Sequence, residues 1–131
     1  MTERALFVLY VRDQAASTAF YRRVLAREPV LEVPGMTEFE LAQGTRLGLM
    51  PETGIRRLLG ERLPDPARAH GTPRAELYLH VADPAACHAR ALEAGGVELS
   101  PLTARNWGDV AAYALDPDGH VLAFAKAHAS F

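Results

Sequence analysis

Only one cysteine, Cys87, occurs in the 131 residues. That excludes an intramolecular disulfide and any all-cysteine metal site, and it fits a reducing, cytoplasmic setting. Long apolar runs are missing too: no segment approaches the roughly 20 residues needed to span a bilayer. The first apolar run, Ala5 to Val11, stops at Arg12-Asp13 with no small-residue cleavage site after it, so neither secretion nor a membrane is expected. Charge of one sign is not in excess, with 14 basic and 16 acidic residues giving a net −2. The basic residues, all Arg except Lys126, are scattered and not interleaved with aromatics, which leaves no electrostatic ground for nucleic-acid binding. There is no phosphate-cradling Gly-rich loop, no Gly-x-Ser-x-Gly elbow and no His-Glu-x-x-His pair.

What is present suffices for a core. Apolar residues make up 49% and charged residues 23%, and the length suits one ordinary domain or two small units sharing a core. Ala5 to Val11 reads as a strand. Asp13 stands where an N-cap belongs, ahead of a helix over Gln14 to Arg27 with Ala16, Ala19, Phe20 and Val24 at helical spacing. A turn is expected at Pro34-Gly35, then strands near Glu38 to Ala42 and Arg46 to Met50 joined by Gln43-Gly44-Thr45. Residues 51–73 change character, with Pro51, Pro64, Pro66 and Pro73 around Ile55 to Leu59. One helical turn is expected there, inside a connector that either bridges two units or covers a site.

The opening pattern then returns. Glu76 to Val81 reads as a strand, Asp83 as a cap, and Pro84 to Ala94 as a helix with Pro at its first position and Gly95-Gly96 behind it. Strands over Asp109 to Leu115 and His120 to Ala125 flank a turn at Asp116-Pro117-Asp118-Gly119. Adding 70 carries Leu9 to Leu79, Val11 to Val81, Asp13 to Asp83, and Ala15, Ala16 and Ala19 to Ala85, Ala86 and Ala89. Six matches in register argue for a duplicated unit. Strand alternation puts Phe7, Leu9 and Val11, and Leu77, Leu79 and Val81, toward the helices. Leu6, Val8 and Tyr10, and Glu76, Tyr78 and His80, fall on the opposite face.

This duplicated pattern resembles the vicinal oxygen chelate superfamily, which includes glyoxalases, bleomycin-resistance proteins and extradiol dioxygenases. Three stretches carry the resemblance: Leu9-Tyr10-Val11-Arg12-Asp13 running into Ala19 to Leu25, the second Val-x-Asp before the Ala-rich helix, and Asp116-Pro117-Asp118-Gly119-His120. Trp107-Gly108-Asp109 is similar to many members. The resemblance covers essentially the whole chain. It implies an α+β fold of two tandem β-α-β-β-β units, eight strands curved around a shared cavity with the helices outside. Unit one would span about residues 5–50 and unit two about 74–127, with 51–73 as connector in a single domain of 1–131. Members of this size are usually homodimers, so a homodimer is expected. In metal-dependent members four strand positions supply metal ligands; here they hold Leu6, Gly48, Glu76 and Ala123. Only Glu76 is a donor, while a divalent ion needs three or four. No metal site and no cofactor are therefore expected.

Among candidate site residues, Glu76 is expected to act as a general base or as the acceptor of a cationic ligand. Otherwise it is a solvated carboxylate paired with Arg105 or Arg74. Tyr78 flanks it. His80 and Tyr10, equivalent under the repeat, either form the polar end of a pocket or bond locally at their strand ends. Trp107 and Tyr113 are expected as aromatic walls, and Tyr10, Tyr78, His80 and Arg105 are expected to bind the ligand with them. His120 is expected to pack the turn, Phe20-Tyr21 to be core and rim, and Cys87 to be inert. The leading expectation is metal-independent binding of a small organic molecule, with drug sequestration as one form. The alternative is a lyase, isomerase or dioxygenase, metal-free with Glu76 as base or with a metal site not recognised.

Overall fold

Two carboxylates start the two long helices. In the computed structural model, which describes residues 1–128, Asp13 Oδ1 accepts from the Ala16 amide at 3.0 Å. Asp83 Oδ1 accepts from the Ala86 amide at 3.1 Å. Each satisfies an amide that the first helical turn leaves without an internal partner. The strands are β1 (Ala5–Val11), β2 (Leu31–Val33), β3 (Met36–Ala42), β4 (Thr45–Pro51), β5 (Glu76–His80), β6 (Val97–Ala104), β7 (Asp109–Leu115) and β8 (Val121–Ala127). The helices are α1 (Gln14–Leu25), α2 (Glu52–Leu59) and α3 (Pro84–Glu93).

The chain groups into two compact units, Met1–Arg22 with Ala26–His70, and Arg23–Leu25 with the residues from Gly71 onward. The first holds a mixed four-stranded sheet in the order β1-β4-β3-β2, with β1 parallel to β4. The second repeats it as β5-β8-β7-β6, with β5 parallel to β8. The class is α+β, as expected.

In the first sheet Leu9, Leu49 and Thr37 are in register, as are Phe7, Leu47 and Phe39. Leu9, Val11, Phe39, Leu47 and Leu49 are buried on this face. The Thr18 and Thr37 hydroxyls share a hydrogen bond of 2.9 Å, and Gln14 Nε2 donates to Thr37 Oγ1 and to the Val33 carbonyl, so α1 covers it. Phe7 shares the face but lies on an edge strand and stays 59% exposed. In the second sheet Leu122, Phe124, Ala112 and Ala114 are buried on the α3 side. There the His88 ring meets Phe124 edge-on at 6.5 Å while its Nε2 bonds Glu98 Oε2 at 2.8 Å.

Three elements differ from the sequence expectation. β2 and β6 are edge strands, mostly exposed, and β6 carries Pro101 with register breaks on both sides of Ser100. Leu31-Glu32-Val33 and Val97 to Ser100 alternate in sequence, but β2 is three residues long, β6 is interrupted by Pro101, and neither buries alternate residues. The expected single helical turn of the connector is an eight-residue helix, α2, followed by 3-10 turns at Gly60–Arg62 and Pro66–Ala69. Ile55 is buried, whereas Leu58 and Leu59 are exposed.

Candidate functional site

The turn before β8 is held by one buried carboxylate. Asp116 Oδ1 accepts from the amides of Asp118 and His120 at 2.9 and 2.8 Å. Its Oδ2 lies 3.1 Å from His120 Nδ1. Arg74 Nη2 reaches His120 Nε2 at 2.9 Å and the Asp118 carbonyl at 3.1 Å. A guanidinium only donates, so His120 Nε2 accepts and the ring proton sits on Nδ1, facing Asp116. His120 is thus the turn-packing residue expected of it. Gly119 completes the turn at φ +87, and an added Cβ would overlap the Gly71 carbonyl oxygen, so only glycine fits.

From this base β8 sends Ala123 and Ala125 to the face opposite α3. Ala123 pairs with Tyr78 on one side and Tyr113 on the other; Ala125 pairs with His80 and Ala111. Both alanines are fully buried, a small-residue floor over which longer side chains from β5 and β7 converge. Tyr78 OH donates to Asp109 Oδ2 at 2.6 Å and accepts from Trp107 Nε1 at 2.8 Å. His80 Nε2 lies 3.9 Å from the same carboxylate oxygen. The Tyr78 ring is inclined 62° to His80 and 57° to Trp107, with centroids 5.4 and 6.4 Å away. Arg105 sits 5.1 Å above the Tyr113 ring centroid. Its Nη2 donates to Ser100 Oγ and the Ala111 carbonyl at 2.7 and 2.8 Å. The second unit therefore gathers Glu76, Tyr78, His80, Arg105, Trp107 and Tyr113, all but one of the residues singled out from sequence. The remaining one, Tyr10, stands half-buried in the first unit on the face of Leu6 and Val8, in register with Met50.

Two features were not anticipated. Asp109 anchors the cluster, holding the Tyr78 proton, and was not named as a site residue. Its signal was available: 109, 111 and 113 alternate along one strand, which puts Asp109 on the face of Tyr113. Second, neither expected arginine pairs with Glu76. Arg74 is engaged by Asp118 and His120, and Arg105 by Ser100 and backbone carbonyls. Glu76 is exposed, and its side chain has no hydrogen bond or ion pair among the described residues.

Partial burial, then the bond to Asp109, holds the Tyr78 phenol above its ordinary value near 10, with the Trp107 N–H opposing. Tyr113 is raised by burial first and by the Glu76 charge second, with Arg105 opposing. Both shifts favour the neutral phenol in the folded state. Their contribution to stability is therefore present below the unfolded value and is lost as pH rises through the folded values. In an alkaline absorbance titration Tyr78 and Tyr113 should both ionise later than an exposed tyrosine, and Tyr78→Phe and Tyr113→Phe should each remove one late phenol. Ordinary ionisation of both would contradict the geometry.

Two four-stranded mixed sheets with the same strand order, each with its own helix, define a class of α+β proteins built from a duplicated β-α-β-β-β unit. The sequence profile of the Glyoxalase/Bleomycin resistance protein/Dioxygenase superfamily matches residues 5–124, and the chain belongs to that superfamily. No curated protein matches it. Among solved structures it is similar to a glyoxalase-related enzyme from Fulvimarina pelagi, at 25% identity and a TM-score of 0.80, covering 96% of this chain and 88% of that one. A protein from Agrobacterium tumefaciens is 29% identical with a TM-score of 0.73, over 98% and 100% of the two chains. A family enzyme from Burkholderia phytofirmans shares the fold at 18% identity and a TM-score of 0.77, over 94% and 97%.

The metal that such a fold implies does not fit these residues. In the first unit a Cβ on Gly48 would lie 3.2 Å from Leu6 Cδ1, 3.2 Å from Val8 Cγ2 and 3.3 Å from Met36 Sδ, so apolar side chains already fill that place. In the second, Ala123 offers no donor beside Glu76. Among the described residues no three His, Cys, Asp or Glu side chains are grouped so as to hold a metal ion. No helix among them is long and apolar enough to cross a membrane.

Proposed function

We propose that this chain binds a small organic molecule on the β5–β8–β7 face without a metal ion, drug sequestration being one form of that activity. One observation carries the proposal. Aromatic and charged side chains from Glu76 to Tyr113 stand together over the Ala123–Ala125 floor of the second unit, and of the positions that the resemblance assigns to metal ligands only Glu76 carries a donor. Sites that recognise organic ligands combine apolar and aromatic walls with a few placed polar groups, and this face has both. The expected homodimer belongs to the same proposal.

Metal analysis by mass spectrometry comes first, on protein purified without chelators or an affinity tag and then offered Ni, Zn, Mn and Fe(II). Metal well below one ion per chain is expected; near-stoichiometric, EDTA-removable metal would overturn the metal-free part. A thermal-shift screen should then find ligands. Saturation at a hundredfold excess over Kd stabilises by about 2.7 kcal/mol, a readable change in midpoint. Silence across a broad panel would remove the binding proposal itself.

The unpaired Glu76 carboxylate favours a second reading, a metal-free lyase or isomerase with Glu76 as general base. Turnover lost in Glu76→Gln with the fold intact would move the assignment there.

A further inference from the structure

We propose that the ligand of this face is a small organic cation, an ammonium or amidinium head on an aromatic or apolar body. The proposal rests on the small-molecule reading above and names the chemistry of its ligand. Tyr78 gives its only proton to Asp109 and accepts the Trp107 indole N–H. Neither of those donors remains for a ligand. Arg105 Nε and Nη2 are engaged by the Ala111 carbonyl, Ser100 Oγ and the Pro101 carbonyl. Among the groups left open, the charged acceptors are both oxygens of Glu76 and Asp109 Oδ1, none with a hydrogen bond among the described residues, beside Arg105 Nη1, the His80 ring and the Tyr113 hydroxyl.

The aromatic rings add to the same preference. The Tyr78 ring is inclined to both His80 and Trp107 and stacks on neither, and Trp107 is 56% exposed. A ring face attracts a cation through its quadrupole, most strongly for Trp and Tyr. An anionic ligand would instead place its charge beside two carboxylates, with one guanidinium held over Tyr113 as the main compensation. Two carboxylates, available ring faces and one pinned arginine together select positive charge.

Trp107 is the sole tryptophan, so its fluorescence reports binding at this face directly. The full chain is titrated with three ligands sharing one body: benzylammonium, benzyl alcohol and phenylacetate. Benzylammonium is expected to bind about tenfold tighter than benzyl alcohol, with phenylacetate weakest. Glu76→Gln should cut that preference about fivefold. Glu61→Gln, which makes the same change in net charge in a 3-10 turn of the first unit, should leave it unchanged. Equal binding of the amine and the alcohol, or tighter binding of phenylacetate, overturns the cation inference and leaves the small-molecule reading standing. An equal loss of preference in both variants shows an effect of net charge alone and also overturns it. Silence with all three ligands, in fluorescence and in thermal shift, overturns both.

Discussion

Replacing Asp116 by Ala is expected to lower the unfolding free energy by about 4 kcal/mol. The change is read as a fall in denaturant midpoint at constant slope. The carboxylate is completely buried and its two oxygens serve the Asp118 amide, the His120 amide and His120 Nδ1. Alanine leaves all three donors inside the protein with no acceptor and no route to water, so each desolvation cost is incurred without return. The damage extends past the turn. His120 loses the partner that fixes its tautomer, and the Arg74 bond to Nε2 depends on that tautomer.

Asp116→Asn separates charge from geometry. Its amide oxygen can still accept from both backbone amides, but its NH2 then faces the Nδ1–H of His120. Moving the ring proton to Nε2 only transfers the conflict to Arg74. Asn is therefore expected to cost about 1–2 kcal/mol, clearly less than Ala. If the two variants cost the same, the backbone amides do not depend on this side chain as described.

How much of this was legible in the sequence follows from how local each determinant is. Asp13 and Asp83 cap helices through amides three residues away, and Asp116 closes its turn within four. Such signals lie inside a short window and were read correctly. The 70-residue repeat was legible because each copy repeats those local signals. β2 and β6 were not: three residues are too few to mark a strand, and Pro101 inside β6 argues against one, so these exposed edge strands are held mainly by their ladders. In the site, alternation placed Glu76, Tyr78 and His80 on one face, and the structure agrees. Partner choice was another matter. Arg74 and Arg105 both had sequence grounds to meet Glu76, yet His120, 46 residues from Arg74, and the Ser100 hydroxyl with nearby carbonyls engage them instead. Which acceptor an arginine finds depends on sheet register, and register is a property of the assembled sheet.

Asp109→Ala has the second largest expected consequence, and it falls on function rather than on the core. Asp109 is the group through which Tyr78, and through Tyr78 the Trp107 indole, are oriented. Without it Tyr78 retains a neighbour that donates and loses the one that accepts. The phenol is then free to rotate, and Trp107 loses a fixed acceptor. A cation bound on this face also loses one of two carboxylates. Affinity for benzylammonium is expected to fall about 10- to 30-fold, equivalent to ~1.4–2 kcal/mol. The same substitution has a spectroscopic signature that a general loosening would not mimic. Asp109 raises the Tyr78 phenol both as a hydrogen-bond acceptor and as a nearby charge, so its removal should shift that ionisation down toward the ordinary tyrosine range. Tyr113, raised chiefly by burial and Glu76, should move much less. An affinity loss with the Tyr78 ionisation unchanged would mean that Asp109 serves the ligand without holding the Tyr78 phenol. Unchanged affinity with a downward shift would place the ligand away from the Tyr78–Trp107 pair.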